Sequence, residues 1–258
     1  MSERFVVFVG GLHRSGTTLL ARCLAAHPDV SGFSGTDAPE DEGQHLQSVY
    51  PPATVYGGPG RFGFAPETHL TECSPLVTVE NRERLFADWS RYWDLGKPVL
   101  LEKSPPNLTK TRFLQALFPE AAFVMVVRHP IPVTLATARW RRTRRYHRLV
   151  EHWLRCHELF EEDRKRLARC HVLRYEDLVT DPAGELERVS AFLGLEAQPA
   201  TATFDEGSNR RYFERWRAFG SAPGMRVYQA LTAARYEPRV RRFGYSLREP
   251  YELPRKSS

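Results

Sequence analysis

The first 28 residues constrain the fold more than any other part of this chain. Phe5-Val6-Val7-Phe8-Val9 is an unbroken apolar, largely β-branched run, the pattern of a strand buried on both faces. A glycine-containing turn through Arg14, Ser15 and Gly16 follows. Residues 17–26 then place Leu19, Leu20, Cys23 and Leu24 on one helical face, and His27-Pro28 ends the helix. Where a strand turns straight into a helix, backbone N–H groups and the helix's positive end converge on one point, which favours an anion. Gly16 lets the chain approach that anion closely. Gly11 and Gly16 match the spacing of the Walker pattern G-x-x-x-x-G-K-[ST], but Thr17 stands where its lysine should be. The nearest cation, Arg14, lies upstream of the second glycine. The loop reads as an anion cradle, and not as a standard ATP loop.

Further along, residues 99–101, 123–127 and 171–174 read as strands. Leu108, Phe113, Leu114 and Leu117 suit a crossover helix that stops at Phe118-Pro119. Tyr146, Leu149, Val150, Trp153, Leu154 and Phe160 recur at helical spacing through a basic segment. Asp181-Pro182 forms an N-cap and first-turn pair, and Gly194 closes the helix carrying Leu186, Val189, Phe192 and Leu193. Strands alternating with helices imply right-handed βαβ units and an open parallel sheet, with ligands at the carboxyl ends of its strands. No internal repeat or low-complexity tract interrupts the pattern. The Pro/Gly/Thr-rich stretch 51–67 is long for a connection, and residues 50–75 read as a lid or acceptor loop. Its aromatics (Tyr50, Tyr56, Phe62, Phe64) suit either an apolar acceptor or simple packing.

With 258 residues, 41% of them hydrophobic, the chain can bury one large core, so a single domain over 1–258 is expected. No apolar run approaches the roughly 18 residues of a membrane span, and the run at 5–9 is too short for a signal peptide. Cys23, Cys73, Cys156 and Cys170 are scattered and read as free thiols in a reducing cytoplasm. The net charge of +6, mostly from arginine, favours an anionic partner. The basic run 139–148 reads as a solvated face of an amphipathic helix carrying Trp140 and Tyr146, with part of it open to a phosphate of the ligand and no nucleic acid required. His147, His152 and His157, five residues apart, fall on different helix faces and argue against a shared metal.

A second anion site is legible after the 123–127 strand, which runs into Arg128-His129-Pro130. A P-loop kinase needs a carboxylate at a strand end to hold Mg²⁺. Glu102 follows another strand and keeps that alternative open. An arginine after a buried strand instead suits a nucleotide carrying phosphate at two separate places.

Four landmarks in order, Arg14-Ser15-Gly16-Thr17-Thr18, Glu102-Lys103-Ser104-Pro105, Val127-Arg128-His129-Pro130 and Arg174-Tyr175-Glu176-Asp177-Leu178, resemble those of the P-loop sulfotransferases. The likeness runs from Phe5 to Leu195, about three-quarters of the chain. It implies an α/β, three-layer P-loop-type fold, a central parallel sheet flanked by helices, with a helical C-terminal part over 196–258. It also implies a cytoplasmic enzyme that moves a sulfuryl group from 3′-phosphoadenosine 5′-phosphosulfate (PAPS) to a hydroxyl. The product nucleotide is 3′-phosphoadenosine 5′-phosphate (PAP), the acceptor a small molecule or natural product, and no metal or membrane takes part. On this likeness Arg14, Ser15, Gly16, Thr17 and Thr18 wrap the 5′-phosphosulfate. Arg128 holds the 3′-phosphate, Tyr175 lies against the adenine, and Lys103 contacts the transferring group. The family's usual serine eight residues after the arginine is Ala136 here, so Thr137 or Thr134 is the substitute. Asn209, Arg210 and Arg211 are the candidates for a basic segment over the cofactor. The family's glutamate or histidine base would fall near Ser34-Gly35, where neither occurs. Glu42, then Asp41 and His45, are the candidates a little further on. A nucleotide kinase and a phosphate-gripping nucleic-acid module are the competing readings.

Overall fold

The computed structural model describes residues 4–199 and 202–252. Its elements, in chain order, begin with β1 (Phe5–Gly11), α1 (Thr17–Ala25), β2 (Val30–Gly32), α2 (Val79–Ser90), β3 (Val99–Lys103), α3 (Thr111–Leu117) and β4 (Ala122–Val127). There follow α4 (Pro130–Trp140), α5 (Tyr146–Asp163), β5 (Cys170–Arg174), α6 (Tyr175–Thr180), α7 (Pro182–Leu193), α8 (Ser208–Phe219) and α9 (Pro223–Arg241). The strands form one parallel sheet in the order β2-β3-β1-β4-β5. Successive side chains on a strand point to opposite faces. Val6 and Phe8 of β1 therefore join one apolar cluster, which also takes in α3, α4, α5, α8 and α9. Val7 and Val9 join a second, closed by α1, α6 and α7. Two cores on one sheet give the three-layer α/β arrangement expected.

The strand-first, loop, helix order puts the carboxyl ends of β1, β3 and β4 side by side, with Val9 level with Lys103 and Gly11 level with Val126. The expected strands and helices fall within a residue or two of their places, except that a 3₁₀ turn (Pro105–Thr109) precedes a short α3. The sequence reading missed β2, whose three residues carry one buried aliphatic, along with α2 and α4. The basic run 139–148 is not one helix. Trp140 ends α4, Tyr146 begins α5, and Arg142 between them adopts φ 49°. Five arginines within seven residues repel one another at helical spacing, which favours the break.

Residues 50–68 fold into 3₁₀ turns at Ala53–Tyr56, Phe62–Phe64 and Pro66–Thr68 and pack as a wall against α5. Phe62 is fully buried, and the Gly63 N–H donates to His152 Nε2 at 3.2 Å. Tyr50 and Phe62 belong to the core, whereas Phe64 lies beneath Arg148. The C-terminal part is helical, as α8 and α9. Its residues 200–201 and 253–258 lie outside those described.

Candidate active site

The cradle after β1 is built from backbone conformations that cost energy. Arg14 takes φ 71°, a left-handed value costing a non-glycine residue on the order of 1–2 kcal/mol, and Gly16 takes φ 100°. A Cβ on Gly16 would sit 2.4 Å from Cδ2 of Tyr175, so only glycine fits. Gly16 caps α1 with no side-chain hydrogen bond, which leaves the first-turn N–H groups of the helix unclaimed by any cap. Ser15 Oγ is fully buried without a partner. These groups form a cavity wall suited to an anion.

That wall is one side of a cleft of about 430 Å³. It is lined by His13, Arg14, Gly16, Thr17 and Thr18, by Glu42, Gln44 and His45, and by Arg128, Trp140 and Tyr175. The loop, the second arginine and two of the candidate bases, Glu42 and His45, far apart in sequence, therefore meet in one place. Ala53, Thr54 and Pro59 of the packed loop close another side.

Arg128 is 7% exposed and held on three sides. Its Nε donates to Asn209 Oδ1 at 2.9 Å and its Nη1 to the Arg14 carbonyl at 2.9 Å, while Nη2 reaches Ser208 Oγ at 3.4 Å. Asn209 Nδ2 passes the network on to Glu176 Oε1, which also accepts from the His129 N–H, and Tyr245 donates to Glu176 Oε2 at 2.8 Å. The guanidinium thus keeps a fixed orientation through a carboxylate it does not touch. Burial pulls its pKa down, opposed by Tyr175 and Glu176.

Tyr175, expected against the adenine, is a buried strut. Arg128 Cζ covers one ring face at 3.9 Å, Gly16 packs on its edge, and its hydroxyl pairs with Ser208 Oγ at 2.9 Å. Arg210 and Arg211, expected over the cofactor, are exposed and pair with Glu214 and Asp205, away from the cleft. Helix periodicity explains this: Ser208 and Asn209 take the inward face of α8, and their successors turn outward. Thr137, 4% exposed, and Thr134 line a small void with His13 and His152 and not the cleft.

The base candidates separate by environment. Asp41 accepts from both the N–H (2.7 Å) and hydroxyl (2.8 Å) of Thr36. Slight burial pushes its pKa up, but these bonds outweigh it and hold the carboxyl below its usual range. It opens on an adjoining hollow of about 450 Å³ and not on the cleft. Glu42 is 6% exposed at the cleft, and burial raises its pKa despite Lys103 Nζ at 3.7 Å and Gln44 Nε2 at 2.5 Å. His45 Nε2 is 4.0 Å from it.

Lys103, expected at the transferring group, faces the adjoining hollow. Its Nζ donates to the Glu40 carbonyl at 2.6 Å, in the segment where Glu40 and Asp41 take φ 55° and 51°. Burial lowers its pKa, partly countered by Glu42. Glu102 turns into the fold, where Ser104 Oγ donates to it at 2.6 Å and Asn107 Nδ2 also donates. Burial pushes its pKa up to about 7. It lies behind the cleft rather than in it.

Sequence reasoning missed His13. Burial, then His152, Lys103, Arg14 and His45, bring its pKa down to about 3, and its Nδ1 is buried without a partner. Its side chain packs near Phe62 and Trp140 while the residue lines the cleft. Also missed were Glu176, Tyr245 and Ser208, the frame behind Arg128. Only the position of Glu176 beside Tyr175 gave a local signal.

Known sulfotransferases resemble this chain in sequence. The chain is 26% identical over 218 residues to a protein-tyrosine sulfotransferase of Drosophila melanogaster, covering 81% of this chain and 42% of that protein. It is 30% identical over 119 residues to the omega-hydroxy-beta-dihydromenaquinone-9 sulfotransferase Stf3 of Mycobacterium bovis, covering 40% of this chain and 30% of that one. The chain thus spans less than half the length of either relative. A solved sulfotransferase from Alicyclobacillus acidocaldarius superposes with a TM-score of 0.49 at 17% identity, over 92% of this chain and 96% of that one. The profile of the sulfotransferase family matches residues 7–199, a span holding the cradle, Lys103, Arg128 and Tyr175. This chain belongs to the sulfotransferase family.

Proposed function

We propose that the cleft transfers a sulfuryl group from PAPS, which leaves as PAP, to the hydroxyl of a small-molecule acceptor in a cytoplasm. One observation carries this reading: an uncapped helix N-terminus and a framed, buried arginine open on the same cleft as an ionisable carboxylate. The fit of the donor is supported by the glycine-only approach at Gly16 and the unpartnered Ser15 hydroxyl. The first-turn amides of α1, Ser15 and Arg14 hold the phosphosulfate, and Arg128 holds the 3′-phosphate.

Glu42 takes the proton of the acceptor hydroxyl as its oxygen bonds to sulfur and the sulfur–oxygen bond to the nucleotide breaks. Charge spreading onto the equatorial and leaving oxygens is met by Arg14 and the helix N-terminus, positioned in advance, so the reaction in this reading needs no metal. Lys103 positions the Glu40–Glu42 segment that carries the base. Residues 50–75 form the acceptor wall of a single domain. The relatives named for tyrosine and for a menaquinone show that the family's acceptors vary, and a small hydroxyl compound fits this cleft.

Calorimetry with PAP in EDTA tests the reading, and binding is expected. Failure to bind, with tight binding of Mg-ATP instead, would reject it in favour of a kinase. Arg128→Ala should cost about 2–5 kcal/mol of PAP affinity, the usual penalty for truncating a buried charged pair. Adenosine 5′-phosphate, which lacks the 3′ group, should lose far less. Equal losses for the two nucleotides would make Arg128 structural only.

A further inference from the structure

Six arginines cluster at the junction of α4 and α5, four of them in the turn between the helices. Arg139, Arg141, Arg142, Arg144, Arg145 and Arg148 are all exposed, and no Asp or Glu occurs between Pro130 and Val150. None of the six makes an ion pair among the described residues. By contrast, Arg112, Arg166, Arg188, Arg210, Arg211, Arg239 and Arg241 each do. Like charges packed into ten residues repel, so this turn is electrostatically unfavourable until an anion meets it.

Its place decides what that anion is. Trp140, inside the arginine run, is 50% exposed and lines the cleft, with Arg14 Cζ 4.6 Å from its ring centroid. The packed loop lines the same cleft through Pro59, and Arg141 Nη1 approaches its Gly58. In the sulfuryl-transfer reading the donor's two anionic ends already have the α1 terminus and Arg128, which line the cleft, whereas none of the six arginines does. The groups left for the turn are those of a molecule entering between Trp140 and the loop.

We propose that the arginine turn is a docking surface for the acceptor, and that the acceptor is a hydroxyl compound carrying carboxylate, phosphate or sulfate groups beyond the hydroxyl that reacts. The inference rests on the sulfuryl-transfer reading. Planar guanidinium forks at the rim suit such groups, and Trp140 offers the aromatic face between rim and reacting centre. Because the pairs form in solvent, they act chiefly on association and fade with added salt.

The test uses labelled PAPS and a panel of hydroxyl compounds in matched pairs, each acid beside its neutral amide or ester. It compares the wild type with the triple variant R141E/R144E/R145E. The acids should be the better substrates, with kcat/KM falling as salt rises. The variant should lose about tenfold or more in kcat/KM for the acids, mainly through KM. Neutral partners should be little affected, and PAP affinity by calorimetry nearly unchanged. Three results would overturn the assignment. Neutral compounds could be preferred with no salt dependence. PAP affinity could fall as far as acid turnover, which would make the turn a donor site. A DNA or RNA oligonucleotide could bind the wild type and not the variant while acceptor kinetics stay the same. Loss of PAP binding by the wild type itself would sink the parent reading instead, a separate and recognisable outcome.

Discussion

Asp41 and Glu42 are neighbours in the chain with opposite surroundings. Asp41 is clasped by Thr36, which stabilises its charged form, whereas burial makes Glu42 reluctant to ionise. A raised pKa suits a general base working near neutrality, since such a carboxylate holds an abstracted proton better. Glu42→Gln should therefore lower kcat by about 10²–10⁴-fold with PAP affinity retained, as read by steady-state kinetics beside calorimetry. Wild-type turnover in that variant would move the role to His45. The pH profile carries a sign. As the proposed base Glu42 must be ionised, so kcat/KM should fall on acidification at a higher pH than an ordinary carboxylate would give. Lys103 works charged and its pKa is lowered, so activity should fall on the alkaline side earlier than for an exposed lysine.

At the scale of elements, the 50–68 loop shows how a segment with little regular structure becomes a fixed wall. It is anchored by the fully buried Phe62 and by the Gly63 N–H on His152, whose Sγ neighbour Cys156 leaves no room for a side chain. A Cβ on Gly63 would lie 2.3 Å from Cys156 Sγ. Gly63→Ala should destabilise the fold by about 1–3 kcal/mol, the usual cost of overpacking a filled core. Denaturant unfolding measures the loss, and an unchanged midpoint would show the loop to be loosely held. The reading of 50–75 as a lid or acceptor loop came from its length and composition. Its packing depends on α5, about ninety residues later, and composition carries no trace of that.

Across the whole molecule, buried neutral histidines set the response to acid. His129 donates through Nε2 to the Ser246 carbonyl and accepts from the Ile131 N–H at Nδ1, so both nitrogens are committed to the neutral form. His152 accepts from Gly63, and His157 Nδ1 meets the Trp153 carbonyl. Burial, first among the causes, brings the three down to about 3, 3 and 4. These folded values lie below the ordinary 6.5, so the unfolded chain binds more protons in that window. Their stabilising contribution is present above about pH 6.5 and is lost as pH falls, by up to about 1.4 kcal/mol per pH unit for each. Glu102, raised to about 7 by burial, and Glu42, also raised, act oppositely, gaining stability as pH falls, but His13, brought down to about 3, joins the three histidines on the other side. The melting temperature should therefore drop between pH 7 and pH 5. A flat or rising profile in scanning calorimetry would contradict it.

Sequence alone determined the parts whose signals are local. The apolar run of β1, the threonine-for-lysine departure in the cradle, Arg128 at the end of β4 and the alternation of strands and helices are read within a few residues, because helical and extended periodicities are properties of neighbours. Choosing among several candidates of one kind required the tertiary structure. It put Glu42 at the cleft and Asp41 at the adjoining hollow, gave Lys103 and Tyr175 partners within the protein, and left Arg210 and Arg211 exposed. It also joined Arg128 to Asn209 and Glu176 and brought His13 to the cleft. A side chain's partner and solvation depend on which distant elements pack against it, and that is settled only once both faces of the sheet are covered.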